Sequence, residues 1–385
     1  MKLIFAHDHI FKTTNSGCVY SPGKLSNKSF ERYLDSFSSV TIVSRFEMVA
    51  EAKVESFNKI DLSQVSFNGF DNQSTLSNRF FKRAYYKSKL KKLLSCHDGL
   101  VVRIPSEIGF LAAEAALELN KPYVCEVVAC PRDAMLGFNN FKSKLYMPII
   151  TRAMKQCLDN AQGALYVTDS FLQERYPCKG NVEVASNVDI QRTHSKDRSF
   201  NIEAKEIINI ALIGDLNSSH KGYNTLFSAA KILSNNSNRK FKFFIVGPGD
   251  KYKLQLNLNN TDFIYPGSLK PNKILDLLDE MDVYIQPSNQ EGLPRATIEA
   301  MSRSLPCVVS NAGGLPELID SQHVHAVDNA GELATKIAEL VATDKLYWEQ
   351  SAKNRFKAER FTASLLSEVR ARFFSKYKSS LLEVT

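Results

Sequence analysis

Two carboxylates eight residues apart, Glu291 and Glu299, bracket the segment "EGLPRATIE". The stretch before it, "DVYIQPSNQ", reads as a strand with its exit loop. "LPRATIEAMSRS" has helical spacing, and Pro294 suits the first helical position, where a missing N–H costs nothing. A helix that begins just after a strand begins at the C-terminal edge of a sheet, where open α/β sheets bind ligands. Free N–H groups at Leu293, Arg295 and Ala296 favour a phosphate there, and Gly292 allows close backbone approach. Glu291 lies beside that anion position, and Glu299 sits about two turns along the helix at ~1.5 Å per residue. Ionised carboxylates accept hydrogen bonds from hydroxyls, so the pair suits a hydroxyl-rich ligand carrying phosphate: one carboxylate for a sugar, the other for a ribose.

The elements that must position these groups alternate along the whole chain. Strand candidates are "KLIFAH", "SVTIVSR", "GLVVRIP", "PYVCEVVA" and "GALYVT", then "IINIALIG", "FKFFIVG", "DFIYPG", "DVYIQPS" and "LPCVVS", with helix-length segments between most of them. Short apolar strands separated by helices imply parallel sheets covered on both faces. A length of 385 residues exceeds one ordinary core and fits two. The polar stretch between Asn187 and Ile207 has neither periodicity. It separates an N-terminal domain, residues 1–195, from a C-terminal domain, residues 196–365. Residues 366–385 have helical spacing and are expected to pack back on the first domain. No G-x-G-x-x-G follows the first strand of either series, which argues against a nicotinamide dinucleotide.

Composition is that of a globular protein, 44% hydrophobic and 23% charged, without low-complexity or disordered character. No run reaches the roughly 20 apolar residues of a membrane span, and His7 and Asp8 interrupt the apolar start where a signal peptide needs continuity, so a cytoplasmic location is expected. Cys18, Cys96, Cys125, Cys130, Cys157, Cys178 and Cys307 stand at irregular spacings and read as buried thiols, with no zinc-ligand spacing among them. The net charge of +8 fits an anionic partner: nucleic acid, anionic lipid and sugar nucleotide all qualify.

"EGLPRATIE" resembles the E-x7-E element of retaining glycosyltransferases of the GT-B fold, family GT4. The continuation "AMSRSLPCVVSNAGGLPELI" is similar to that family's short strand, Gly-rich turn and second helix. Upstream, "IALIGDLNSSHKGYNTLFSAAKIL" resembles its strand, turn, Lys-Gly and helix, and "FFIVGPGD" and "DFIYPGSL" its next two strand-turns. The likeness covers roughly residues 205 to 320. In the first half "RIPSEIGFLAAEAA" and "YVTDSFLQERYP" agree in layout.

The resemblance implies two doubly wound Rossmann-like α/β domains facing a cleft. It implies that Glu291 binds donor-sugar hydroxyls, Glu299 ribose hydroxyls and Lys221 the diphosphate, assisted by the amides after Gly292. Gly214 would let the diphosphate approach the turn, and Gly267 would lie near the base. The family commonly has Arg after the glycine of the first turn, where this chain has Asp215, leaving Lys221 as the main diphosphate cation with help from His220 or Arg295. Helix N-termini and Lys221 would stabilise the leaving group, with retention of configuration, no metal and no further cofactor, and with the donor's own phosphate helping to deprotonate the acceptor. Many relatives have a histidine after the fifth strand; "EVVACPRDAM" has none, so Glu126 or Asp133 is read as taking that place or pairing with a neighbouring Arg. "HDH" at residues 7–9 is expected after the first strand. Gly17 belongs to a loop similar to the flexible acceptor-side loop of the fold, and Arg103 leaves a strand as a candidate for an anionic acceptor or donor phosphate.

From Arg79 to Leu94 seven positive charges stand with Phe80, Phe81, Tyr85 and Tyr86 and no acid, and Phe138 to Lys155 repeats that character. Such basic, aromatic helices read as a membrane-surface element or as solvated helices with aromatics inward. The first reading leads to a lipid-linked saccharide acceptor at an anionic inner leaflet; the resemblance implies a nucleotide-sugar donor, with a UDP-sugar expected in preference to a GDP-sugar. A GT-B sugar-nucleotide 2-epimerase is the alternative, though the acid/base set it needs is not evident. A nucleic-acid-binding protein is the other, though no recognition motif occurs.

Overall fold

The computed structural model describes residues 1–383 except 24, 56, 72–81, 138–140, 189, 191–192, 194–200, 251 and 253–256. The chain forms two compact units. One comprises Met1–Val167, Leu172–Ala185 and Ser367–Thr385, the other Thr168–Phe171 and Ser186–Leu366. The division thus falls at Ser186, some residues before the position read from the sequence, and a final helix, Ala363–Glu383, contributes to the first unit from Ser367.

The parallel strands of the first unit are β1 (Lys2–Thr13), β3 (Ser39–Met48), β5 (Val65–Asp71), β6 (Gly99–Ile104), β7 (Val124–Val127), β8 (Gly163–Tyr166) and β9 (Asn181–Val184). They lie side by side in the order β5–β3–β1–β6–β7–β8–β9, which reverses between β1 and β6. β1 outlasts β6: their pairing ends at Ala6–Val102, and beyond it Lys12 and Thr13 pair antiparallel with β2 (Val19–Ser21), which in turn pairs with β4 (Asn58–Ile60). The first strand is therefore twice as long as its apolar run. His7, Asp8 and His9 lie inside it, at a register shift between Ala6 and Ile10, and not after it. The shift is held by Ser44 Oγ, 2.8 Å from the carbonyl oxygen of His7 and 2.5 Å from that of His9. Helix Glu107–Glu118 is started by Ser106, whose hydroxyl accepts from Gly109 N–H, and by Asp8, whose carboxylate accepts from the N–H groups of Glu107 and Ile108.

The final helix closes one face of this sheet. Tyr377 OH accepts from Leu100 N–H at 2.8 Å and lies 3.0 Å from the Pro122 carbonyl.

The strands of the second unit are β10 (Ile207–Ile213), β11 (Lys240–Val246), β12 (Thr261–Gly267), β13 (Val283–Gln286), β14 (Cys307–Ser310) and β15 (Val324–His325). They form an all-parallel sheet in the order β12–β11–β10–β13–β14–β15. Numbered from its own first strand this is 3-2-1-4-5-6, the Rossmann order, with its reversal between β10 and β13. Alternation explains why the sheet is buried twice over. Ile208, Ile210, Leu212, Phe243, Ile285 and Val308 join one core, while Ala211, Tyr284, Cys307 and Val309 join the other. All ten strands read from the sequence are present; β2, β4, β5, β9 and β15 are additional.

Candidate functional site

β10 and β13 are the adjacent parallel strands at which the second sheet reverses, paired through Ile210–Val283 and Ala211–Tyr284. The loops that leave their C-terminal ends are therefore placed at the crevice such a reversal creates. After β10, Gly214 N–H donates to the Val246 carbonyl, and Gly247 N–H to the Gly267 carbonyl at 3.0 Å, so the exits of β10, β11 and β12 are stacked. A Cβ on Gly247 would stand 1.9 Å from the Gly214 oxygen. Gly267, at φ +75°, has open space where a side chain would be. A Cβ on Gly214 would stand about 3 Å from Lys221 Cγ and Cδ and 3.2 Å from Tyr223 OH. The space read as room for a diphosphate is thus taken first by the stem of Lys221.

Asp215 closes the turn, its carboxylate accepting from Asn217 N–H at 2.8 Å. A short 3₁₀ turn, Ser219–Lys221, then presents Lys221. Gly222 follows at φ +70°, and a Cβ there would lie 1.8 Å from the Pro287 oxygen, a contact only glycine permits. Asn289 N–H donates to the His220 carbonyl at 2.8 Å. The Lys221 turn is thereby fastened to the loop after β13.

On that loop Glu291 meets it. Lys221 Nζ donates to Glu291 Oε1 at 2.6 Å, and the same oxygen accepts from Ser288 Oγ at 2.8 Å and Gln286 Nε2 at 3.4 Å. Gln286 and Ser288 are fully buried. The backbone of Glu291–Gly292 is seated on Gly313 and Gly314: a Cβ on Gly313, at φ +56°, would lie 1.8 Å from the Glu291 oxygen, and Gly314 N–H donates to the Gly292 carbonyl at 2.9 Å. Glu317, one turn on, accepts from the N–H groups of Asp169, Ser170 and Phe171.

Helix Arg295–Ser302 begins one residue later than the sequence suggests. Pro294 is its N-cap in extended conformation, so Leu293 lies outside the helix and Arg295 is its first residue. Among the described residues no side chain caps it, which leaves its first N–H groups for a ligand. Arg295 is 3.6 Å from Glu299, one turn away on the same face.

In the first unit the corresponding reversal lies between β1 and β6. His7 Nδ1 is 3.1 Å from the Arg103 carbonyl oxygen, and His9 Nε2 is 2.9 Å from Ser21 Oγ. Burial, reinforced by the Arg103 cation, lowers both imidazoles to about 4, so they are neutral at pH 7. Arg103 Nη1 donates to Glu126 at 2.9 Å, joined by Arg32 at 3.2 Å and Tyr33 OH at 2.7 Å. Burial opposes the charge on Glu126, but Arg32, Arg103 and the Tyr33 hydrogen bond prevail and hold its carboxyl below the usual range. A carboxylate so occupied orients Arg103. Asp133 is bound at 2.8 Å by Arg175. Gly17, at φ +79°, turns the tight Thr14–Cys18 connection between β1 and β2, a hydrogen-bonded hairpin.

The basic helix, Arg83–Ser95, is less bare than its sequence. Arg83 and Lys87 pair with Glu114, and Lys87 and Lys91 with Glu118, both acids on the next helix; Lys89 donates to the Gly69 carbonyl. Tyr85 is exposed; residues 79–81 lie outside the described set, as do 138–140 of the second basic segment, whose helix Phe141–Asp159 exposes Leu145 and Ile149. Among the described residues no helix is long and apolar enough to cross a membrane. Cys125, Cys130, Cys157 and Cys307 are buried as expected, but Cys18 and Cys178 are half-buried and Cys96 is exposed at the C-cap of the helix Arg83–Ser95.

Of the residues named from the sequence, the structure brings Lys221 and Glu291 into contact and sets Glu299 further along the following helix; Gln286, Ser288, Gly222 and Gly313, which support the pair, had no role assigned from the sequence. The Gly-Gly pair at 313–314 was visible as a turn. The polar residues at alternate positions after Tyr284 were the signal for the buried chain beneath Glu291.

Two sheets whose parallel strands run in Rossmann order, the second with a Lys–Glu pair at its point of reversal, agree with the GT-B fold, and the likeness to named glycosyltransferases makes the chain a glycosyltransferase. Residues 208–343 match the family described as "Glycosyl transferases group 1". Protein CapJ of Staphylococcus aureus is 29% identical over 355 residues, 91% of this chain and 89% of that protein. The UDP-Gal:alpha-D-GlcNAc-diphosphoundecaprenol alpha-1,3-galactosyltransferase of Escherichia coli is 37% identical over 92 residues, 23% of this chain and 24% of that enzyme. Among solved structures, Anabaena HepE in complex with UDP superposes with a TM-score of 0.63 at 15% identity, covering 98% of this chain and 100% of that one.

Proposed function

We propose that the chain moves a hexose-type sugar from a nucleotide-sugar, a UDP-sugar in preference to a GDP-sugar, to a lipid-linked saccharide in the assembly of a bacterial surface polysaccharide such as O-antigen, lipopolysaccharide or capsule. The observation that carries the reading is the Lys221–Glu291 pair at the reversal of the second sheet, beside an uncapped helix start. The donor diphosphate lies against Lys221 Nζ and the N–H groups of Arg295 and Ala296. As the bond from sugar to phosphate breaks, negative charge grows on the phosphate, and a fixed cation and aligned dipoles stabilise it there without reorganising. Glu291 accepts from the donor-sugar hydroxyls and Glu299 from the ribose hydroxyls, while Gly214 and Gly267 border the diphosphate and the base. The anomeric configuration is retained, with the acceptor proton passing to the donor's phosphate, so the protein supplies neither metal nor strong base. The donor class is supported by the names of the Escherichia coli enzyme and of the UDP complex of HepE, and the lipid-linked acceptor by the former.

Acceptor recognition is assigned to the first unit, with Gly17, Arg103 and Asp133 at or near its strand exits and Glu126 acting through Arg103. Exposed Tyr85, Leu145 and Ile149 favour peripheral contact with an anionic membrane on the cytoplasmic side, while Glu114 and Glu118 reduce the charge available to it. Nucleotide release from a panel of UDP- and GDP-sugars, with and without lipid extract from the source cells, tests the reading. Release from one UDP-sugar, stimulated by lipid, is the expected result. An intact sugar nucleotide with an inverted centre as the only product would turn the reading to an epimerase.

A further inference from the structure

Among the described residues, Glu291 is held by one oxygen. Oε1 takes all three donors, Lys221 Nζ, Ser288 Oγ and Gln286 Nε2, and no hydrogen bond from the described residues reaches Oε2. Beneath it a polar chain runs through the core: Tyr284 OH is 2.5 Å from Gln286 Oε1, and Gln286 Nε2 is 2.8 Å from Ser288 Oγ. All three side chains are completely buried. Chemistry fixes the direction. An ionised carboxylate only accepts, so the single Ser288 proton goes to Glu291 and Ser288 must accept from Gln286. That turns the Gln286 NH₂ toward Ser288 and Glu291, and its carbonyl toward the Tyr284 hydroxyl.

A buried amide at the end of a strand is costly unless it is satisfied, and an apolar side chain of similar volume would serve packing as well. The amide must therefore do something that packing does not require. We propose that Gln286 is a positioning residue for the donor sugar: with Tyr284 and Ser288 it locks Oε1 of Glu291 and leaves Oε2 turned to a sugar hydroxyl. This rests on the reading of Glu291 as the donor-sugar contact.

The test compares Gln286→Leu, isosteric Gln286→Glu and Glu291→Ala, read as nucleotide release from the UDP-sugar that the wild-type chain consumes with lipid extract present, together with UDP affinity. Both Gln286 variants are expected to lower kcat about tenfold, the loss of one hydrogen bond to a charged group, with UDP affinity unchanged in Gln286→Leu. Gln286→Leu added to Glu291→Ala is expected to cost nothing further, because the two act through one contact. Wild-type kcat in both Gln286 variants while Glu291→Ala is strongly impaired, or additive losses in the double variant, overturns the proposal. A wild-type rate in Glu291→Ala strikes instead at the donor reading. Tyr284→Phe, which removes only a hydroxyl, is expected to show a smaller loss in the same direction and serves if Gln286→Leu does not fold. Crystal structures give a readout independent of turnover: the Glu291 carboxylate is expected to leave Ser288 Oγ and Lys221 Nζ in Gln286→Glu, and an unmoved carboxylate overturns the proposal.

Discussion

Lys221 Nζ and Glu291 Oε1 lie 2.6 Å apart, joining residues that come after β10 and β13, seventy positions apart in sequence. Neither side chain is sealed off: they retain 24% and 11% of their exposure, so a ligand reaches both. An ammonium has three protons, and Glu291 engages one, which leaves the others for phosphate oxygens. The pair holds both groups in place before a donor arrives and is neutral until it does.

Lys221→Met removes that cation. Each hydrogen bond to a charged group contributes ~1.5–3 kcal/mol, so UDP affinity is expected to fall about ten- to a hundredfold. Lys221→Arg keeps the charge and the Cγ–Cδ stem against Gly214 but replaces a compact ammonium by a planar guanidinium, and is expected to recover only part of the loss. Calorimetric titration with UDP reads both.

Gly222→Ala and Gly267→Ala separate steric fit from backbone strain. Both glycines have positive φ, +70° and +75°, but a Cβ at 222 would lie 1.8 Å from the Pro287 oxygen, whereas at 267 it would meet nothing within 4 Å. Gly267→Ala is expected to cost about 1 kcal/mol of strain. Gly222→Ala is expected to cost more and to weaken UDP binding as well, because it prises the Lys221 turn from the Glu291 loop. Urea unfolding and UDP titration of the two variants check this.

His7, His9 and His323 have folded pKa values lowered to about 4, chiefly by burial, from an unfolded value of 6.5. Between those values the unfolded chain binds protons that the folded chain does not. Their contribution to stability is thus complete above pH 6.5 and is lost as pH falls toward 4. Buried Glu126, held below the carboxylate range, adds a loss only at still lower pH. Denaturant unfolding at pH 7 and pH 5 is expected to show the decline, with a shallower slope in His7→Asn.

Thiol chemistry distinguishes the cysteines. Cys96 is exposed while Cys125, Cys157 and Cys307 are buried, and burial raises the thiols of Cys125 and Cys307. A thiol reagent is expected to modify Cys96 first in the native protein and the four buried thiols, Cys130 among them, only on unfolding. Mass mapping after brief treatment checks the order.

The second unit was far more legible than the first, and the reason is locality. Glu291, Gly292 and Glu299 fall in one window whose strand, glycine and helix start can be read together, and Lys221 sits on a recognisable turn. The long β1 was hidden because "HDH" looks like the end of an apolar run, whereas Ser44, from another strand, holds the shift that lets it continue. The basic helix looked unopposed because Glu114 and Glu118 lie on the next helix. Gly222 and Gly313 are obligatory only through the Pro287 and Glu291 carbonyls that approach them, contacts no local window contains.

The most direct test is nucleotide release from the panel of UDP- and GDP-sugars with lipid extract, comparing wild type with Glu291→Ala. Release from one UDP-sugar by the wild type is expected, reduced about 10²–10³-fold in Glu291→Ala while thermal unfolding stays unchanged, as befits loss of a group that acts in the transition state. A folded Glu291→Ala chain that releases nucleotide at the wild-type rate would contradict the role of Glu291 at the donor sugar.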